Sequence, residues 1–203
     1  HTPEGLRLGA AISWSALARA DLPPSLRALQ QAARQVGGWQ VQNAGTLGGN
    51  LCNASPAADG VPPLLILDAQ VELAALSGPR RLPLADFLIG PRRTALAPGE
   101  ILTALHIPTA RLSGGSAFHK LGARAYLVIS IAMVAARVTV AQGRLTSAAL
   151  AIGACAPTAR RLPALEATLV GLTLPEALAR LTPATLAPHL APLDDIRASA
   201  TYR

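Results

Sequence analysis

The segment NAGTLGGNLCNASPAADG occupies residues 43–60. Small residues and uncharged hydrogen-bonding side chains crowd into it, whereas much of the chain around it is Ala, Leu and Val. In TLGGN, Gly48 and Gly49 allow the backbone to approach a ligand closely and to adopt positive φ, so that consecutive N–H groups can converge on a phosphate. The Thr46 hydroxyl and the Asn50 amide add neutral hydrogen bonds, an arrangement suited to a dinucleotide pyrophosphate. Asp59 can accept hydrogen bonds from the hydroxyls of a sugar or ribityl chain. The plainer alternative is that the glycine pair shapes a turn and Asp59 caps a helix. The segment fits neither GxGxxG nor the P-loop pattern, so its spacing supports neither a Rossmann nor a P-loop site.

Working outward, LRLGAAIS (6–13) predicts a strand running into a helix, with Ser13 or Ser15 as N-cap. A second helix starts at Pro24-Ser25, carries apolar residues at helical spacing through LRALQQAARQV, and ends at Gly37-Gly38. The segment 43–60 then reads as an irregular loop. Pro62 and Pro63 fit only the first turn of a helix, for which Asp59 is the candidate N-cap. VELAAL (71–76), the Ser77-Gly78-Pro79 turn and RRLPL predict a hairpin, and EILTALHIP (100–108) a further strand. LSGGSA (112–117) is the expected boundary between a domain at 1–111 and one at 112–203. Beyond it, AFHKLG, VISIAMVAARVTVA and RLTSAALAIGAC read as strands, with Gln142-Gly143 turning between the last two. Proline-punctuated helical pieces follow from Pro163 onward. The fold class is therefore α+β.

Composition narrows the functions. Of 203 residues, 51% are apolar and 14% charged, as in a globular protein. The net charge of +7 comes almost wholly from arginines scattered along the chain, with Lys120 the sole lysine. Such scattering reads as solvated surface rather than a nucleic-acid stripe, and 3% aromatic residues build no base-stacking platform. Cys52 and Cys155 have no metal-ligand spacing, so neither zinc nor an iron–sulfur cluster is expected on this chain. The apolar run at 127–141 includes Arg137 and falls short of the ~20 residues of a membrane span. No nucleophile elbow, histidine pair or carboxylate pair emerges, so no catalytic residue is named and the expected chemistry is that of a bound cofactor. The expected location is cytoplasmic.

The run QVQNAGTLGGNLCNASPAADGVPPLLILDAQVEL (40–73) resembles the second FAD-binding segment of the flavoprotein (medium) subunit of the molybdenum hydroxylases. That family includes xanthine dehydrogenase, carbon monoxide dehydrogenase and aldehyde oxidoreductases. LRLGAAISWSALA, LAPGEILTALHIP, AFHKLGARAYLVISIAMVAARV and the terminal DDIRASATYR carry the likeness across the chain. The resemblance implies the remainder of a PCMH-type FAD-binding domain followed by a C-terminal domain of antiparallel sheet plus helices. Thr46, Leu47, Gly48, Gly49 and Asn50 would contact the FAD pyrophosphate, with Asn53 and Ser55 nearby. Asp59 would bind the ribityl or ribose region, Leu102 would pack on the isoalloxazine, and Lys120 would lie at the ring's polar edge. For the last two the plain readings are a core leucine and a solvated lysine.

The resemblance also implies a heterotrimer, with a molybdopterin-binding large subunit, a [2Fe–2S] small subunit, and NAD, a quinone or oxygen as acceptor. Two departures stand out. Gln42 occupies a position where the family commonly has Arg. The chain begins at His1, and the family's upstream α/β subdomain, with its Ala-Gly-Gly-Thr loop, has no counterpart in it. The expectation is thus half of an FAD clamp. The competing reading is a noncatalytic interaction subunit that has lost FAD.

Overall fold

The computed structural model describes residues 2–203 and builds two antiparallel four-stranded sheets joined through a shared core. Strand β1 (Gly5–Gly9) leads into α1 (Trp14–Arg19), whose N-cap is Ser13: its hydroxyl accepts from the Ala16 N–H at 3.2 Å. Ser15 instead donates to Asn43 at 2.5 Å. A 3₁₀ turn at Pro24–Leu26 opens α2 (Arg27–Gln35), which buries Ala28, Leu29, Ala32 and Ala33, the i, i+4 face that its apolar spacing predicts. Gly37 follows with φ 52, the left-handed value that stops a helix.

The irregular loop expected next is instead two short helices, α3 (Trp39–Ala44) and α4 (Leu47–Asn53). Then come α5 (Val61–Leu65), β2 (Gln70–Ala75), β3 (Gly78–Pro83), α6 (Leu84–Phe87), the small hairpin β4 (Leu88–Gly90) and β5 (Arg93–Thr94), and β6 (Ile101–Pro108). Pro62 and Pro63 do sit in the first turn of α5, but the N-cap is Gly60, and Asp59 makes no cap. Its carboxylate is directed elsewhere, as described below. The first sheet has the order β1-β6-β2-β3.

The second sheet, order β10-β9-β8-β7, comprises β7 (Gly115–Leu121), β8 (Ala132–Ala141), β9 (Arg144–Gly153) and β10 (Arg160–Arg161). The strand expected from residue 128 starts only at Ala132. Residues 122–131 instead form a loop through Leu127, held at φ 53. Gln142 and Gly143 make the expected tight turn, both with positive φ. Helices α7 (Pro163–Ala167), α8 (Leu174–Arg180) and α9 (Pro183–Leu186) cover one side of this sheet, where Leu165 and Leu169 pack with Leu145, Leu150 and Ile152 of β9. On the other side, Phe118, Met133, Ala135 and Ala151 join the core formed by α2, α4 and α5. Arg137 crosses this junction fully buried and donates to the carbonyls of Ile66 (3.1 Å) and Ser113 (3.2 Å).

Candidate functional site

Helix α4 organises the site. The Thr46 hydroxyl caps it by accepting from the Gly49 N–H at 3.0 Å, and Ala54 ends it in the left-handed region at φ 45. Two glycines inside one short helix are unfavourable by about 1 kcal/mol each relative to alanine, so packing must stabilise it. At Gly48 the reason is visible: a Cβ there would lie 2.7 Å from the Ala10 Cβ and 2.9 Å from the Ala10 carbonyl oxygen. Gly48 and Gly49 are both outside the positive-φ region, so close approach, not left-handed backbone, is what Gly48 supplies.

The backbone N–H groups of the TLGGN segment do not converge on open space. Leu47 donates to Ile12 O (3.0 Å), Gly48 to Ala10 O (2.8 Å), Gly49 to Thr46 Oγ1, and Asn50 to Thr46 O (3.1 Å). The cradle of free N–H groups expected from the sequence is therefore absent at residues 47–50. Leu47 is fully buried in the core and Gly48 faces Ala10, so neither offers a side chain to a ligand. Outward, α4 presents the stripe Thr46, Gly49, Asn50 and Asn53, at the i, i+3, i+4, i+7 spacing of one helix face, with the exposed Cys52 beside it. Asn50 Oδ1 accepts from the Gly60 N–H at 3.3 Å, which leaves its Nδ2 without a partner among the described residues.

The stripe separates two recesses, each of about 370 Å³. Thr46, Gly48, Gly49 and Leu102 border one, together with the apolar Leu96 and Ile101. Asn50, Asn53, Ser55 and Asp59 border the other, together with Arg92 and the 127–129 segment. Lys120 reaches this second group through Asp59: its Nζ donates to Asp59 Oδ2 at 2.6 Å, and the Ser130 hydroxyl donates to Oδ1 at 2.5 Å. The ammonium is not a solvated lysine, since its side chain is only 6% exposed. Leu102 is half-buried beside the first recess.

Two family models match in tandem: residues 1–110 to the FAD binding domain in molybdopterin dehydrogenase, and residues 116–203 to the CO dehydrogenase flavoprotein C-terminal domain. This chain belongs to the molybdenum hydroxylase FAD-subunit family. The putative xanthine dehydrogenase FAD-binding subunit of Escherichia coli is 33% identical over 200 residues, which cover 98% of this chain and 68% of that protein. The nicotinate dehydrogenase FAD-subunit of Eubacterium barkeri is 45% identical over 109 residues, covering 52% of this chain and 37% of its own. A solved structure, reconstituted CO dehydrogenase from Oligotropha carboxidovorans, aligns over 100% of this chain and 71% of its own with a TM-score of 0.91 at 29% identity. The shared architecture of α+β FAD-binding and C-terminal domains is thereby established.

Within this flavoprotein family fold, the remaining polar groups fall into place. Gln42 turns away from the recesses and donates to Arg34 O at 3.0 Å, closing the last turn of α2. Desolvation by surrounding atoms pushes the thiols of Cys52, exposed on α4, and of the buried Cys155 above their ordinary pKa, which disfavours the thiolate. Among the described residues no cluster of three or more His, Cys, Asp or Glu side chains could hold a metal, and no helix is long and apolar enough to cross a membrane.

Two residues at the site escaped the sequence reading. Ser130 falls inside the strand expected at 128–141, whereas the structure places it in the loop before β8. Arg92 is among the scattered arginines that read as solvated surface, yet it borders the polar recess, and its Nη1 donates to Asn53 Oδ1 and to the Asn53 carbonyl. The usable signal for Arg92 was the Gly90-Pro91-Arg92-Arg93-Thr94 turn, because proline preceded by glycine marks a tight connection.

Proposed function

We propose that this chain binds FAD across the outer stripe of α4 and acts as the electron-transfer flavoprotein subunit of a molybdenum hydroxylase. The observation that supports this reading best is the stripe itself. Thr46, Gly49, Asn50 and Asn53 make a narrow, small-residue face with hydroxyl and amide groups, flanked by an apolar recess at Leu102 and a polar one at Asp59. That division suits a ligand with a planar ring, a polyol and a diphosphate.

In this arrangement the Thr46 hydroxyl and Asn50 Nδ2 hydrogen-bond the diphosphate, with Asn53 and Ser55 beside them. Asp59 retains lone pairs beyond those used by Lys120 and Ser130, and these accept from polyol hydroxyls. Leu102 gives the ring an apolar wall, and Lys120 sets a fixed positive charge behind Asp59, shielded from solvent. Gly48 keeps α4 against Ala10, so the stripe stays rigid. When bound, FAD supplies the redox chemistry, accepting electrons one or two at a time, and the protein positions it and tunes its potential.

By this reading one partner carries molybdopterin and oxidises the substrate, another carries [2Fe–2S] clusters, and NAD, a quinone or oxygen takes the electrons from this subunit in the cytoplasm. Isolation of the native assembly is the test. Co-purification of FAD, molybdenum and iron with this chain is the expected result. An assembly free of flavin would favour a noncatalytic interaction subunit instead.

A further inference from the structure

The charge balance of the site leads further and rests on the FAD reading above. A diphosphate carries about two negative charges near neutral pH, and the N–H groups of residues 47–50 are engaged within the chain. Thr46, Asn50, Asn53 and Ser55 are neutral, Asp59 is an acid, and the Lys120 ammonium is held 2.6 Å from Asp59 in a buried pair. The remaining cation bordering the polar recess is Arg92.

Arg92 has features of a residue kept for its side chain. Its φ is 59, a left-handed conformation that favours glycine, at the tip of the β4–β5 hairpin. It stays there because its N–H donates to the Ala54 carbonyl at 2.8 Å, and Ala54 is itself left-handed at φ 45. The hairpin tip is thereby pinned to the C-terminal end of α4. The guanidinium has no carboxylate within ion-pair distance among the described residues; only Nη1 is used, on Asn53. Nε and Nη2 remain available beside the outer stripe.

We propose that Arg92 neutralises the FAD diphosphate, acting as a charged clamp at the Asn53 end of α4. A forked guanidinium matches two phosphate oxygens, and it supplies the charge that the neutral TLGGN stripe does not.

FAD titrations of the whole chain at low and high ionic strength, with urea unfolding in parallel, test this in Arg92→Gly and Arg92→Lys. Arg92→Gly relieves the left-handed strain, so its urea midpoint should rise, while FAD affinity falls about tenfold to a hundredfold at low salt. Its affinity should also become less sensitive to salt, and Arg92→Lys should recover part of the loss. Unchanged FAD affinity in Arg92→Gly overturns the proposal, as does a loss that is equal at both salt concentrations and accompanied by a lowered urea midpoint. Wild-type chain that binds no FAD defeats the flavin reading as well, an outcome separate from normal wild-type binding with an unaffected variant.

Discussion

The Lys120 ammonium donates to the Asp59 carboxylate at 2.6 Å, with both side chains less than a tenth exposed. This contact joins the turn before α5 to strand β7 of the second sheet, and Ser130 holds the other carboxylate oxygen. Removing one partner of such a pair leaves a buried charge uncompensated. Asp59→Ala should therefore cost about 3–5 kcal/mol of unfolding free energy, whereas the double variant with Lys120→Met should cost much less than the sum of the two single changes. Urea denaturation in a double-mutant cycle checks this; strictly additive costs would mean that the pair is not coupled.

The two glycines of TLGGN should respond differently to alanine. At Gly48 the new methyl meets Ala10 at 2.7 Å, and the backbone of the β1–α1 turn cannot yield without breaking the Gly48 N–H bond to Ala10 O. Gly48→Ala should lose about 1–3 kcal/mol and weaken FAD binding together. At Gly49 the nearest atom is the Thr46 hydroxyl at 3.0 Å, and alanine is the better helix former, so thermal stability should change by less than about 1 kcal/mol.

Acid should unfold the chain partly through Glu72. Hydrogen bonds from Arg7 at 2.6 Å and Thr103 at 2.7 Å, with His106 beside them, hold its carboxyl down to about 2. In the unfolded chain it titrates near 4.5, so between these values the unfolded state binds more protons and stability falls as pH falls. The contribution is present above pH 4.5 and is lost as the pH drops through about 2. Glu100, held down to about 2 by Arg80 and the Ala97 N–H, titrates in the same window. Urea midpoints measured from pH 5 down to pH 2 should decline, with a shallower decline in Glu72→Gln.

Arg137 should tolerate no cation of different shape. Its Nε and Nη1 satisfy the carbonyls of Ile66 and Ser113, two groups a single ammonium would not reach with the same geometry. Arg137→Lys and Arg137→Met should each lower the unfolding free energy by about 2 kcal/mol or more, because buried carbonyls lose their donors. Equilibrium denaturation of the two variants provides the comparison.

The hairpins were legible because their turns are written locally: Gln142-Gly143 turns where expected, whereas the turn expected at Ser77-Gly78-Pro79 falls at Leu76-Ser77, and Gly78 and Pro79 already pair with Ala75 and Ala74 in β3. Helix α2 showed in its period, and the Ser13 cap in its position before an apolar run. Helix α4 was hidden because its sequence disfavours helix, and tertiary packing, with Leu47 and Leu51 in the core and Gly48 against Ala10, stabilises it. The same fit commits the N–H groups that the sequence offered to a phosphate. Asp59 read as a helix cap because the residues that claim it, Lys120 and Ser130, lie 61 and 71 positions away. Arg92 looked like surface charge because β4 and β5 are too short to register as a hairpin; the Gly90-Pro91 turn marks a tight connection but does not show that its tip meets Asn53, 39 positions away.

Titration of FAD into the purified chain, followed by quenching of flavin fluorescence, tests the central claim most directly. Saturable one-to-one quenching, abolished in Gly49→Leu where a bulky side chain covers the outer stripe of α4 while the urea midpoint holds, is the result this account predicts. Absence of saturable quenching in the wild-type chain, or equal affinity in Gly49→Leu, would contradict it.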